Sequence, residues 1–183
     1  SNVIAVSIAF GLITILKEEP LFAVTITTWH IKAIPYFILL GILAGLNSVY
    51  LTRSVLYFKS QFSRINTHYY KIIMGSAVLS ISLYIFPQLY GEGYHAIKTI
   101  FGNSNEIPLN LTLALTFIGL LILKPIVTSI TLASGGDGGV FAPSLFIGAF
   151  LGLLLASVLN TFFNADVIPL NFMIIGMAAV LSA

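Results

Sequence analysis

The chain has 183 residues, of which 58% are hydrophobic and only 8% charged, with eight Lys and Arg against six Asp and Glu for a net charge of +2. An average soluble domain carries roughly 25% charged residues, so this composition cannot cover a water-exposed surface and points to an integral membrane protein. The small net charge leaves no footprint for nucleic acid, and the lack of cysteine excludes a disulfide framework and any Cys-based metal or redox site.

Ser1 to Val6 run directly into apolar sequence, without the basic region and small-residue cleavage site of a secretory signal. Phe172 to Ala183 continue as an apolar helix pattern without a stop signal, so the chain is expected to be an internal piece of a longer membrane protein. A helix needs about 20 apolar residues to cross the hydrocarbon core. Six stretches are candidates. Val3 to Leu16 reads as the tail of a span closed by Lys17-Glu18-Glu19-Pro20, and Ile34 to Phe58 as a full span whose tail is broken by Arg53. Tyr70 to Tyr90 is the third, and Leu109 to Ala133, interrupted by Lys124-Pro125, the fourth. Phe141 to Phe163 and Ile168 to Ala183 complete the set, with one short helix expected over Tyr94 to Phe101.

Four of the eight basic residues, Arg53, Lys59, Arg64 and Lys71, fall in or beside the connection between the second and third spans. No acidic residue lies between Glu19 and Glu92, so the positive-inside rule assigns this connection to the cytoplasm. Two spans carry small residues at four-residue spacing: Gly41 and Gly45 in one, Ser144, Gly148, Gly152 and Ala156 in the other. Such stripes let helix backbones approach closely and read as packing, not function.

The segment richest in chemistry is Ser134-Gly135-Gly136-Asp137-Gly138-Gly139-Val140-Phe141-Ala142-Pro143. Its glycines leave the backbone bare to a ligand, and Pro143 suits the first turn of the following helix. A helix N-terminus carries unpaired N–H donors and about half a positive charge, which favours an anion, and broken helices at membrane depth point such ends at anionic substrates. The residues alone leave two readings open: half of an anion site, or a tight loop between two spans.

Gly139-Val140-Phe141-Ala142-Pro143 resembles the GxFxP signature of the CLC family of chloride channels and proton-coupled chloride exchangers. Tyr90-Gly91-Glu92-Gly93-Tyr94 is similar to the family's Gly-x-Gly turn before a short helix. Lys124 stands where members often have a basic residue, and Gly176-Met177-Ala178-Ala179 resembles the start of the next conserved helix. The ordered set covers nearly the whole chain. It implies an all-α, polytopic membrane protein, part of an inverted-repeat fold with broken and re-entrant helices. Residues 1–16 would end the first repeat and residues 34–183 form most of the second, all within one transmembrane domain.

By the same resemblance, the N–H groups of Val140 and Phe141 would coordinate chloride, Gly139 would permit the turn, Pro143 would start the helix, and the Phe141 ring would wall the pore. Asp137 departs from the family pattern and is expected to point away or cap a neighbouring backbone. The implied protein is not an enzyme and needs no cofactor or metal. It would carry chloride or a similar small anion, with protons as the counter-ion in an exchanger, as a multi-pass homodimer in the cell or inner membrane. The family's GSGIP and GKEGP motifs, the latter with the gating glutamate, do not occur here, so channel and exchanger are not distinguished.

Lys124 within an apolar span is a functional candidate by cost alone. It either raises the local potential for anions, or snorkels or satisfies backbone carbonyls. His30, His68 and His95 lie far apart without a second ligand at metal spacing and read as interfacial or loop residues. The competing functions are a membrane-embedded hydrolase using Ser134 or Ser144, which needs a base such as His95 within reach, and a non-transporting scaffold.

Overall fold

The computed structural model describes residues 33–90 and 111–183, all of whose regular structure is helical. The expected span at Val3 to Leu16, the turn Tyr90 to Tyr94 beyond its first residue, and the short helix at Tyr94 to Phe101 lie outside the described residues. Five α-helices follow in order: α1 (Ile34–Ser63), α2 (His68–Ile85), α3 (Leu111–Ala133), α4 (Phe141–Phe163) and α5 (Pro169–Ser182), with a single 3-10 turn, Pro87–Leu89, after α2. Among them α1, α3 and α4 are long and apolar enough to cross a membrane.

The apolar stripe of α4 has no polar opposite, and Phe146 to Leu153 are buried without a break. A helix that is hydrophobic all round belongs at a centre, and α4 is packed by α5, α3 and α1. The approach of α5 is backbone to backbone. A Cβ on Gly148 would fall on the carbonyl oxygen of Gly176, and one on Gly152 on the carbonyl oxygen of Phe172. The small-residue stripe of α4 therefore is a packing seam. The stripe of α1 is not one among the described residues, since nothing lies within 4 Å of the Cβ positions of Gly41 and Gly45.

On the α3 side the core is aromatic. Phe150 meets Phe117 edge-on at 5.2 Å between centroids and stacks at a tilt on Phe146 at 4.4 Å. Pro125 inside α3 removes one helix hydrogen bond, yet the helix continues, and Ser129 donates its hydroxyl to the Pro125 carbonyl at 2.6 Å. Tyr50 of α1 donates to the carbonyl of Ile122 in the preceding turn at 3.1 Å. Beyond α4, Asn164 takes the left-handed conformation at φ 46°, and the Asn160 amide clamps Val167 by donating to its carbonyl and accepting from its N–H, both at 2.8 Å. Pro169 then opens α5, where its missing N–H costs nothing.

Three boundaries differ from expectation. Arg53 does not break α1, which runs on for ten residues to Ser63, because a charged side chain leaves the backbone hydrogen bonds intact and neither Gly nor Pro follows before the helix ends. The third stretch is not one span from Tyr70 to Tyr90. Its helix stops at Ile85 because Pro87 bars Phe86 from helical backbone (φ −126°, ψ 82°), and the chain turns there. Gly176 does not start a helix but lies in the middle of α5, where it meets Gly148.

The seam makes a contrast that thermal unfolding in detergent can read. Gly152→Ala should destabilise by about 1–3 kcal/mol, since neither backbone can yield. Gly45→Ala, whose Cβ would meet nothing among the described residues, should leave stability unchanged or raise it by up to about 1 kcal/mol.

Candidate functional site

The glycine segment is a turn with one closed end and one open end. At the closed end, α3 finishes in a Schellman motif: Gly135 is left-handed at φ 95°, the Gly136 N–H bonds the Thr131 carbonyl at 2.9 Å, and the Gly135 N–H reaches the Leu132 carbonyl at 3.4 Å. A Cβ on Gly136 would sit 2.9 Å from the Thr131 carbonyl oxygen, so this position also demands glycine. The left-handed turn residue is thus Gly135 and not Gly139. Gly139 has an ordinary φ, and its Cβ position has nothing nearer than the Phe141 nitrogen at 4.0 Å.

At the open end, Val140 is the N-cap of α4, with φ −92° and ψ −7°, and its side chain can accept no hydrogen bond. The first intrahelical bond runs from the Ser144 N–H to the Val140 carbonyl at 3.0 Å. The N–H groups of Phe141 and Ala142 have no acceptor among the described residues, and Pro143 has no N–H to satisfy. A helix end of this kind favours negative charge.

A cleft of about 290 Å³ lies beside this end. Gly138, Gly139 and Pro143 form one wall, Lys124, Thr128 and Thr131 of α3 another, and Leu79, Leu83, Leu89 and Tyr90 close it from α2 and the 3-10 turn. Gly139, Pro143 and Lys124 are therefore brought together on one cavity. Val140 and Phe141 are not among its lining residues, and their side chains are exposed, Phe141 at 61%. Asp137 is exposed and likewise absent from the lining.

Lys124 is buried at 4% exposure, and its ammonium has a defined seat. Nζ donates to the carbonyl of Leu89 at 3.1 Å and stands 4.7 Å from the centroid of the Phe146 ring. A lysine at membrane depth needs such partners. Of the two readings of Lys124, the satisfied carbonyl is therefore a fact of the fold, and Nζ at the cleft is compatible with an electrostatic role as well.

Two contacts attach the glycine segment to α2. The Ser134 side chain fills the notch left by Gly75, and the His68 ring lies 3.2 Å from the Cβ position of Gly135. The segment therefore sits at the end of the molecule where α2 begins, beside the basic connection. Sequence reasoning missed both contacts; the lone glycine in the α2 pattern was the available signal. The Ser134 hydroxyl donates to the Ile130 carbonyl and the Ser144 hydroxyl to the Val140 carbonyl, and neither bonds a histidine among the described residues. Among the described residues neither serine has the base beside it that a hydrolase nucleophile needs. His30 and His95 lie outside the described residues, and among the described residues no metal-binding cluster forms.

Residues 1–183 match the family described as voltage gated chloride channel. The chain is 28% identical to the voltage-gated ClC-type chloride channel ClcB of Escherichia coli (strain SMS-3-5 / SECEC), over 62% of this chain and 26% of that protein. It is also 28% identical to the H(+)/Cl(-) exchange transporter ClcA of Vibrio vulnificus (strain YJ016), over 84% of this chain and 33% of that protein. The chain thus spans about a quarter to a third of the length of the curated relatives it matches. No solved structure matches it.

Lys124→Met should cost about 1–3 kcal/mol in thermal unfolding, because it leaves the buried Leu89 carbonyl without its donor. Gly135→Ala should cost about 1–2 kcal/mol through its positive φ, whereas Gly139→Ala should leave the melting temperature unchanged.

Proposed function

The chain belongs to the voltage-gated chloride channel family, and we propose that the full-length protein carries chloride or a similar small anion across the membrane, as a channel or in exchange for protons. It is an integral membrane protein, with three helices long and apolar enough to span. The single observation that carries the reading is the uncapped start of α4, whose Phe141 and Ala142 N–H groups have no acceptor among the described residues beside a cleft that also receives Lys124. Donors without acceptors cost free energy in a low-dielectric setting unless an anion or water takes them.

In this reading the residues divide the work. Backbone N–H groups at Val140 and Phe141 hold the ion, the Phe141 N–H being one of the two open donors at the start of α4, so affinity depends on the chain's path and not on those side chains. Gly139 keeps the cleft wall free of a side chain, Pro143 removes a competing donor and fixes φ in the first turn, and Lys124 adds positive potential. The exposed Phe141 ring would meet parts of the full-length protein, or the ion path, beyond this chain. A homodimer is the assembly that the family resemblance implies. The function is transport and not catalysis.

Simultaneous chloride and proton flux from liposomes holding the full-length protein tests the reading. Chloride efflux that drives protons uphill identifies an exchanger, efflux without protons a channel, and no anion flux from folded protein removes the proposal. The backbone mechanism has its own test. Replacing the Val140–Phe141 amide by an ester, which deletes the Phe141 N–H, should weaken chloride binding by about tenfold or more in calorimetry, while Val140→Ala should change it by less than about threefold.

A further inference from the structure

Among the described residues, every Lys and Arg apart from Lys124 lies between residues 53 and 71: Arg53, Lys59, Arg64 and Lys71. That stretch contains no Asp or Glu, and none of the four takes part in an ion pair among the described residues. Arg53, Lys59 and Arg64 are exposed and Lys71 is half-buried. Exposed tyrosines stand among them, Tyr57 at 59%, Tyr69 at 76% and Tyr70 at 63%.

Helix length puts this patch at the membrane surface. α1 has 30 residues, about 45 Å, whereas the hydrocarbon core is about 30 Å thick. About twenty residues from Ile34 suffice to cross it, which brings Arg53 to its edge and leaves the rest of α1 beyond. Arg53 and Tyr57, four residues apart, share one face of α1, and Arg64 is the C-cap just past its end. Only residues 64–67 separate α1 from α2, so Lys71 returns in the first turn of α2. Cations and amphipathic tyrosines from the hydrocarbon edge outward face the layer where lipid headgroups meet water.

We propose that this patch binds the headgroups of anionic phospholipids in the cytoplasmic leaflet. The complementarity is of charge and shape. A lipid phosphate without a compensating ammonium presents one net negative charge and oxygen acceptors that a guanidinium grips bidentately, while lysines reach toward the same layer on long stems. Four cations without an anionic partner nearby repel one another, and anionic headgroups relieve that repulsion where zwitterionic ones do not. The proposal does not rest on the transport reading, because no patch residue lines the cleft.

The test is lipid binding to the detergent-solubilised full-length protein, titrated with phosphatidylglycerol or phosphatidylcholine and read by native mass spectrometry. Phosphatidylglycerol should be preferred at least about tenfold at 0.1 M salt, with the preference falling severalfold at 0.5 M. The variant R53Q/K59Q/R64Q/K71Q should lose it, and R53K/R64K should keep most of it. No preference in the wild type, or a quadruple variant that retains it, overturns the proposal. So does displacement of phosphatidylglycerol by an equal concentration of free glycerol phosphate, which would mark a site for a soluble phosphate and not a lipid surface. Should the quadruple variant fail to fold, the single substitutions decide: each is expected to lower the preference about fivefold, and four silent singles overturn it.

Discussion

The described structure depends on one constraint: α4 has no face that tolerates water, and so it must be enclosed. Enclosure by ordinary side-chain packing would hold neighbouring helices 8–10 Å away at their axes. The α5 side does better by omission. Where Gly148, Gly152 and Gly176 meet, carbonyls of one helix occupy the space that side chains of the other would need. In a bilayer, where lipid tails are as apolar as leucine, such contact replaces the hydrophobic effect as the reason for two helices to associate. The α3 side is sealed by the Phe117, Phe146 and Phe150 rings.

Enclosing α4 also decides where its first residues stand, and there the accounting of backbone hydrogen bonds becomes asymmetric. The end of α3 closes its carbonyls through Gly135 and Gly136. The start of α4 has a hydrophobic N-cap and a proline in its first turn, so its donors remain available. A serine or aspartate at position 140 would have closed this end and left a plain loop. In the proposed reading, the segment would act through a cap that is missing and not through any side chain that is present.

Much of this was legible in order and little of it in geometry. The bounds of Phe141 to Phe163 coincide with the sequence reading because a glycine run and Asn164 punctuate a long apolar stretch. Membership of an all-helical membrane family was likewise readable from GxFxP and its neighbours. Hydropathy misled where it was used as a proxy for helix ends: the charge of Arg53 lowers hydropathy locally but does not end hydrogen bonding along α1. The roles within the glycine run were not readable, because φ is set by which carbonyls of α3 need closing, and that assigned the left-handed position to Gly135. The seat of Lys124 was hidden for another reason. Its acceptor, the Leu89 carbonyl, is 35 residues away and exists only because Pro87 turns the chain.

The Asn160 clamp has a mechanical consequence. The seam fixes α4 against α5 through their lengths, and the paired bonds between Asn160 and Val167 fasten the connection at the far end. Two rods joined along their sides and pinned at the hinge have no freedom to scissor or slide. Any working motion that widens or narrows the cleft would then fall to its other walls, where α3 lacks a hydrogen bond at Pro125 and α2 meets it at separate points, Gly75, His68 and Phe86. In the proposed transport reading, the start of α4 is then the fixed wall of the cleft.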